Sequence, residues 1–223
     1  MTKKKRGIRH LKDGVAVYIR GPIAHTQQSW SRGQFYEQPM LNYIREHYRG
    51  GTFIDGGACI GNHTLFFARY CAAQVIAVEP VPRNMQHLMS NVALSQLNGK
   101  VKFVEAALSN YSGRGSMQQM SHYPEHHNLA KGDTVTVMTL DELAGLAEHP
   151  ITLVKLDIQW QEFEALSAAH NVLTEHHPAL FIELVDPVKD RAPVDGLLAK
   201  YGYERGRKFG GAPTYEYIWR GNV

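Results

Sequence analysis

The sequence of 223 residues predicts a doubly wound α/β fold, in which helices cover both faces of a mostly parallel sheet. Two observations lead to this prediction. Short segments of strand length alternate along the chain with longer segments whose apolar residues recur at helical spacing. The strand-like segments are themselves apolar, as is usual where both faces of a sheet are covered. With 43% hydrophobic residues the chain can bury one core, so we expect one main domain.

The predicted elements follow in order along the chain. Residues 15–19 form an early strand, and residues 34–48 form a helix that carries Leu41, Ile44 and Tyr48 on one face. Five strands are then predicted, at residues 52–56, 74–80, 101–109, 151–159 and 179–186. Four helices accompany them, at residues 61–70, 82–97, 161–173 and 194–201.

Two further segments complete the predicted architecture. Residues 203–221 form an antiparallel hairpin at one edge of the sheet, and an inserted loop with a small hairpin occupies about residues 110–140. We expect residues 1–33 to form an N-terminal tail with the early strand, and residues 34–223 to form the single domain.

Charge and cysteine content narrow the class of protein. The net charge of +3 is mild, and the basic run at residues 3–6 is either a solvated tail or a contact with nucleic acid or another anionic partner. No apolar stretch approaches about 18 residues, so we expect no membrane association. The two cysteines, Cys59 and Cys71, form neither a disulfide framework nor a metal-binding pair. A cytoplasmic location fits this composition.

Acidic residues end all five predicted strands of the main sheet. In such sheets, ligands bind at the carboxyl ends of the strands, near the point where strand order reverses. One acid at a strand end has an ordinary structural explanation, but five in register are less easily accidental. The sequence therefore predicts a binding site at this edge, formed by Asp55, Glu79, Glu105, Asp157 and Glu183.

The segment Asp55–Thr64, DGGACIGNHT, places a carboxylate directly before a glycine loop. It lacks the G-x-G-x-x-G spacing of dinucleotide-binding loops, and the carboxylate would lie close to a pyrophosphate. The loop suits S-adenosylmethionine better, because Asp55 can bind the methionine ammonium directly or through water. We expect Gly57 and Gly61 to let the backbone approach this ligand, and Glu79 to accept its ribose hydroxyls.

Five segments carry a resemblance to a known family: FIDGGACIGNHTLFFA, VIAVEPVPRNMQHLMSNVALS, TLDEL, VKLDIQWQEFEAL and FIEL. Together they resemble the FkbM family of S-adenosylmethionine-dependent methyltransferases, over roughly residues 34–185. The resemblance implies a Rossmann-like class I methyltransferase sheet. The residues that match the family pattern are Asp55, Gly57, Gly61, Asn62, His63 and Thr64 in the glycine loop, Glu79 and Pro80 at the ribose site, and Lys155, Asp157 and Glu162 at the end of the fourth strand. Glu105 and Ala106, in the third predicted strand, are assigned to the cofactor site as well.

The chain departs from the family pattern at three places. Cys59 stands where the family usually has Asn, and Gly56 where it has an aliphatic residue. Gln159 and Trp160 replace a Glu-Gly pair, and both are assigned to the acceptor side. Trp160 either stacks on a sugar or base ring, or packs in the core at the start of a helix.

Methyl transfer to a hydroxyl needs in-line alignment and loss of a proton. Asp157 is the candidate that orients or deprotonates the acceptor. Lys155 lies two residues earlier on the same strand face. It holds Asp157 ionised, or polarises the acceptor oxygen, or forms a strand-end salt bridge. Glu183 is assigned to the acceptor side, and the combination of Lys, Asp and Glu also resembles, at looser spacing, the tetrad of RNA ribose 2′-O-methyltransferases.

Three histidines, His122, His126 and His127, lie in the inserted segment. They are solvated, or act as a base or hydrogen-bonding group at the acceptor, or bind a metal. His126 and His127 are assigned to the acceptor side. Because methyl transfer does not require a metal, we expect none.

The resemblance implies an enzyme that O-methylates a hydroxyl of a sugar, a glycan or a secondary metabolite. Two alternatives stay open. One is a ribose 2′-O-methyltransferase acting on nucleic acid, favoured by the basic tail and by Arg205, Arg207 and Lys208. The other is a protein that binds the cofactor without turnover.

Overall fold

A seven-stranded sheet forms the centre of the fold. The computed structural model describes residues 7–19, 24–119, 127–210 and 213–221. The strands, in spatial order, are β11 (Tyr203–Phe209), β12 (Thr214–Trp219), β10 (Ala179–Glu183), β9 (Ile151–Leu156), β3 (Thr52–Gly56), β4 (Gln74–Val78) and β5 (Val101–Val104). β12 is antiparallel to β10 and β11, and the other neighbours are parallel. The predicted α/β sheet with its C-terminal hairpin is confirmed.

Most helices are shorter than the sequence predicts, and the last one keeps its predicted length but begins two residues earlier. They are α1 (Ala24–Ser31), α2 (Gln38–His47), α3 (Asn62–Tyr70), α4 (Pro82–Leu94), α5 (Leu140–Ala144), α6 (Glu162–Ser167) and α7 (Ala192–Ala199), with 3₁₀ turns at Lys12–Gly14 and Asn98–Lys100 and π-helical turns at Val172–His176 and Pro187–Arg191. α1 and α5 have no counterpart in the prediction. α2 begins four residues later than predicted because Glu37 has a left-handed backbone, with φ of +56°.

Two apolar cores lie on the two faces of the sheet. Along β3, Phe53 belongs to one core and Ile54 to the other, because successive side chains of a strand point to opposite faces. Trp30 of α1 is fully buried in the same core as Phe53. The segment before β3 is therefore an integral part of the packed fold.

Two smaller sheets flank the central one. β1 (Gly7–His10) and β2 (Ala16–Ile19) form a hairpin, and β2 coincides with the early strand predicted at residues 15–19. The strand predicted at residues 101–109 is interrupted, because the chain leaves the central sheet after β5. A three-stranded sheet is then formed by β6 (Ala107–Leu108), β7 (Gly113–Gln119) and β8 (His127–Met138), where an inserted hairpin is predicted. None of the described helices is both long and apolar enough to cross a lipid bilayer.

Candidate active site

The strand order reverses between β3 and β9, which are parallel neighbours. After β3 the chain builds β4 and β5 on one side, and β9 and β10 follow on the other. Such a switch point leaves a crevice outside the carboxyl ends of the strands, where ligands bind in α/β folds. A cavity of about 450 Å³ lies there, lined from the ends of β3, β4, β9 and β10 and from the hairpin of β7 and β8.

The glycine loop after β3 is held by close packing within the protein. Gly57 has a φ of +76°, and a Cβ there would lie 1.9 Å from the carbonyl oxygen of Asp157. Gly61 has a φ of +98°, and a Cβ there would lie 2.6 Å from Cδ1 of Leu88. The sequence predicts that these glycines allow approach of a ligand, but both are required by contacts inside the protein. Gly57 also lines the cavity, whereas Gly61 does not.

The two small departures from the family pattern have local explanations. A Cβ at Gly56 would lie 2.8 Å from Leu156 and 3.0 Å from Leu108, so these leucines fill the space of the usual aliphatic side chain. Cys59 has a φ of +51°, in the left-handed region that Asn adopts more readily than most residues. Burial, with the nearby carboxylate of Glu79, raises the pKa of the Cys59 thiol, which therefore stays protonated.

Asp55 is completely buried and does not line the cavity. Its Oδ2 accepts a hydrogen bond from the hydroxyl of Thr64 at 2.5 Å. Its Oδ1 lies 3.9 Å from Nζ of Lys155, its register partner on β9, and has no hydrogen-bond partner among the described residues. Asp55 therefore links β3 to β9 and α3. The sequence predicts that Asp55 binds the ligand directly or through water, and its burial excludes the direct contact.

Glu79 follows β4 and lines the cavity together with Pro80. It accepts hydrogen bonds from the main-chain N–H of Cys59 at 3.0 Å, from that of Val81 at 3.0 Å, and from the amide of Asn84 at 3.2 Å. Burial raises the pKa of Glu79, and these three donors oppose that effect. A carboxylate accepts about four hydrogen bonds, so Glu79 retains about one acceptor site for a ligand hydroxyl.

Lys155, Asp157 and Glu183 form a polar cluster at the ends of β9 and β10. Nζ of Lys155 lies 3.4 Å from Oδ2 of Asp157, and the two carboxyl groups are hydrogen-bonded to each other. Burial and the negative charge of Asp157 raise the pKa of Glu183 to about 9. Burial would also raise the pKa of Asp157, but the Lys155 ammonium and the Glu183 hydrogen bond hold it below its usual value. The pair therefore carries one proton at neutral pH, on Glu183.

Gln159 and Trp160 face different cavities. Gln159 lines the main cavity, and its amide donates to Oδ1 of Asp157 at 3.1 Å. Trp160 is 40% exposed and lines a second cavity of about 200 Å³, so it is neither a core residue nor part of the main lining. Both residues have left-handed backbones, with φ of +57° and +67°, which explains the glycine usual at the second position. Glu162 fixes the turn by accepting the N–H of Ile158 at 2.8 Å.

Asn62 and His63 hold the segment before β3 against the site. Oδ1 of Asn62 accepts the main-chain N–H of Tyr36 at 2.9 Å, and its amide donates to the Tyr36 carbonyl at 3.0 Å. Nε2 of His63 lies 2.9 Å from Oε2 of Glu37. Sequence reasoning missed this segment, although a polar pair at the buried start of an apolar helix is a signal for it. Four of its residues line the cavity: His25, Thr26, Tyr36 and Glu37.

The remaining predicted residues divide between the cavity and the surface. Ala106 lines the cavity, but Glu105 is exposed and lies outside the lining, because the chain leaves β5 after Val104. His127 of β8 lines the cavity. His122 and His126 lie outside the described residues.

Solved methyltransferases share this fold. The methyltransferase FkbM from Methylobacillus flagellatus KT superposes with a TM-score of 0.55 at 17% identity, covering 90% of this chain and 56% of that one. An rRNA methylase from Streptococcus thermophilus superposes with a TM-score of 0.52 at 11% identity, covering 82% of this chain and 96% of that one. A methyltransferase from Geobacter sulfurreducens superposes with a TM-score of 0.53 at 13% identity, covering 83% of this chain and 78% of that one. Likeness at these identities shows the fold alone, and this chain spans just over half the length of the Methylobacillus protein.

Comparison at the sequence level identifies the family. No curated protein sequence matches the chain. Residues 55–205, from the end of β3 to the first half of β11, match the family model described as the methyltransferase FkbM domain. That segment contains the glycine loop, Glu79 and the cluster of Lys155, Asp157 and Glu183. The chain belongs to the FkbM methyltransferase family.

Proposed function

We propose that this chain is an S-adenosylmethionine-dependent O-methyltransferase whose acceptor is a hydroxyl of a sugar, a glycan or a secondary metabolite. The proposal rests on one observation: the cluster of Lys155, Asp157 and Glu183 lines the same cavity as Glu79 and the glycine loop. The groups suited to binding a cofactor and the group suited to accepting a proton from the methyl acceptor thus line the same cavity. The bound cofactor supplies an electrophilic methyl group on its sulfonium.

The lining fits such a cofactor in size and in chemistry. The cavity of about 450 Å³ falls within the range of about 300–1,000 Å³ usual for small-molecule sites. Glu79 retains an acceptor site for a ribose hydroxyl, and Val81 and Ala106 offer apolar surface for a base in the same cavity. Glu79 is thus the residue we assign to the nucleoside end.

Asp157 is the residue that we assign to the acceptor hydroxyl. Its ionised carboxylate takes hydrogen bonds from Lys155, Gln159 and Glu183, which leaves about one of its four acceptor sites free. A hydroxyl bound at that site would be oriented by Asp157 and could lose its proton to it. Lys155 keeps Asp157 ionised, and Glu183 fixes its orientation.

Charge in the cavity favours an uncharged acceptor. The described lining carries four carboxyl groups, of which Glu183 holds a proton, against a single lysine, Lys155. This balance argues against an anionic acceptor, and so against nucleic acid. Two of the three basic residues near the C-terminus are also engaged within the protein, since Arg205 pairs with Asp195 and the guanidinium of Arg207 lies 4.7 Å from the ring of Tyr43.

The proposal is tested by incubating the protein with methyl-labelled S-adenosylmethionine and fractionated cell extract. We expect label in an alkali-stable methyl ether within a nuclease-resistant fraction, and none when Asp157→Asn protein is used. Nuclease-sensitive label would favour the nucleic-acid alternative. Absence of S-adenosylmethionine binding in calorimetry, or tight binding of NAD instead, would overturn the proposal.

A further inference from the structure

The cofactor proposed above carries an ammonium at its amino-acid end, which needs a carboxylate partner when it is removed from water. The sequence predicts Asp55 for this role, but Asp55 is fully buried and bonded to Thr64. Four other carboxyl groups line the cavity. They belong to Glu37, Glu79, Asp157 and Glu183.

Three of these four groups are committed to other contacts. Glu79 accepts three hydrogen bonds at the end of β4. Asp157 pairs with Lys155, and Glu183 is hydrogen-bonded to Asp157. Glu37 differs from them, because His63 contacts only its Oε2. The Oε1 atom of Glu37 has no hydrogen-bond partner within the described part of the chain.

Glu37 and Glu79 contact different parts of the segment Asp55–Thr64. Glu79 accepts the main-chain N–H of Cys59, in the middle of this segment. Glu37 contacts His63, near its end and in the first turn of α3. A ligand whose ribose lies at Glu79 would therefore extend along the loop toward Glu37.

We infer that Glu37 binds the amino-acid ammonium of the cofactor. This inference rests on the proposed function. Asn62 bonds both main-chain polar groups of Tyr36, so the carboxylate of Glu37 is held at a fixed distance from α3. Glu37 precedes residues 55–205, which match the family model. The N-terminal segment thus completes a binding site that the matched residues form only in part.

Binding of two nucleosides can be compared to isolate the contribution of the amino-acid end of the cofactor. S-adenosylhomocysteine carries the amino acid, and 5′-methylthioadenosine lacks it. In calorimetry on the full chain, Glu37→Gln should weaken S-adenosylhomocysteine binding by about tenfold to a hundredfold, the loss expected for a charge-assisted hydrogen bond. Binding of 5′-methylthioadenosine should stay within about twofold. Glu79→Gln should weaken both ligands, and Glu37→Asp should fall between wild type and Glu37→Gln.

The outcomes separate this inference from the proposed function. If Glu37→Gln weakens both nucleosides equally, or neither, the assignment of the ammonium to Glu37 is wrong, while S-adenosylhomocysteine binding by the wild type still supports the proposed function. If the wild type binds no S-adenosylhomocysteine, the proposed function fails, and the inference fails with it. Thermal melts accompany each variant. If Glu37→Gln does not fold, Glu37→Asp takes its place in the test. The inference is then contradicted if Glu37→Asp discriminates between the two nucleosides as strongly as the wild type does.

Discussion

Gly57 and Asp157 are in direct main-chain contact, so close that a Cβ on Gly57 would lie 1.9 Å from the carbonyl oxygen of Asp157. The N–H of Asp157 also donates to the carbonyl of Gly56 at 3.1 Å. These contacts join the end of β3 to the end of β9. The loop proposed to hold the cofactor and the residue proposed to accept a proton are therefore positioned against each other by the backbone.

Gly57→Ala should be strongly destabilising, because it adds a steric clash with backbone to the cost of a positive φ. Gly33→Ala is the matched control: Gly33 has a φ of +74°, and a Cβ there would meet nothing within 4 Å. Urea denaturation should give a loss of about 1–2 kcal/mol for Gly33→Ala and more than about 3 kcal/mol for Gly57→Ala. Equal losses would mean that the contact with Asp157 relaxes at little cost.

Glu183→Gln should change how the stability of the protein depends on pH. The pKa of Glu183 is about 9 in the folded protein against an ordinary value of 4.5. Between these values the folded state holds a proton that the unfolded state has released, so this group lowers stability as pH rises. Gln keeps the hydrogen bond to Asp157 and removes the titration. The variant should therefore gain melting temperature over the wild type progressively from about pH 5 to about pH 9.

Thermal melts of the cofactor-free protein across that range test this expectation. Glu175→Gln serves as the control, because it makes the same chemical change at an exposed residue outside the cavity lining. Parallel curves for Glu183→Gln and the wild type would show that Glu183 does not hold the extra proton.

Asp157→Asn should lower the rate of methyl transfer by about 10²–10⁴-fold, the usual contribution of a positioned general base. The affinity for S-adenosylhomocysteine should be nearly unchanged, because we assign Asp157 to the acceptor rather than to the cofactor. Calorimetry and single-turnover kinetics on a methyl-accepting fraction measure the two quantities. Loss of cofactor affinity with the same rate constant at saturation would move Asp157 to the cofactor site.

Trp160→Gly should be more stable than Trp160→Ala by about 1 kcal/mol. Both changes remove the indole, but only glycine relieves the backbone at a φ of +67°. Chemical denaturation of the two variants isolates this backbone effect from lost side-chain contacts. Because Trp160 lies outside the main cavity lining, the acceptor KM should be unchanged in both. An increased KM would restore Trp160 to the acceptor site, and a more stable alanine variant would contradict the backbone argument.

Much of the fold follows from the sequence because it depends on local patterns. An apolar run of strand length indicates a buried strand, and an apolar stripe at helical spacing indicates a helix with one buried face. Both signals lie within a single segment, so the predicted alternation of strands and helices is found in the structure. The same holds for Glu79 and Asp157, which line the cavity. Both follow parallel strands close to the switch point, where ligands bind, whereas Glu105 follows the edge strand β5 and stays outside the lining.

Tertiary structure decided the features that depend on distant segments. Asp55 has the same position at a strand end, but its pairing with Lys155 across β3 and β9 buries it. Glu37 reaches the cavity because His63, 26 residues later in the chain, contacts its carboxylate. No local pattern encodes either contact, since each requires two segments to meet only after the sheet is assembled. The sequence by itself thus determined which chemistry the chain contains, and the packing of its strands and helices determined which of those groups face the cavity.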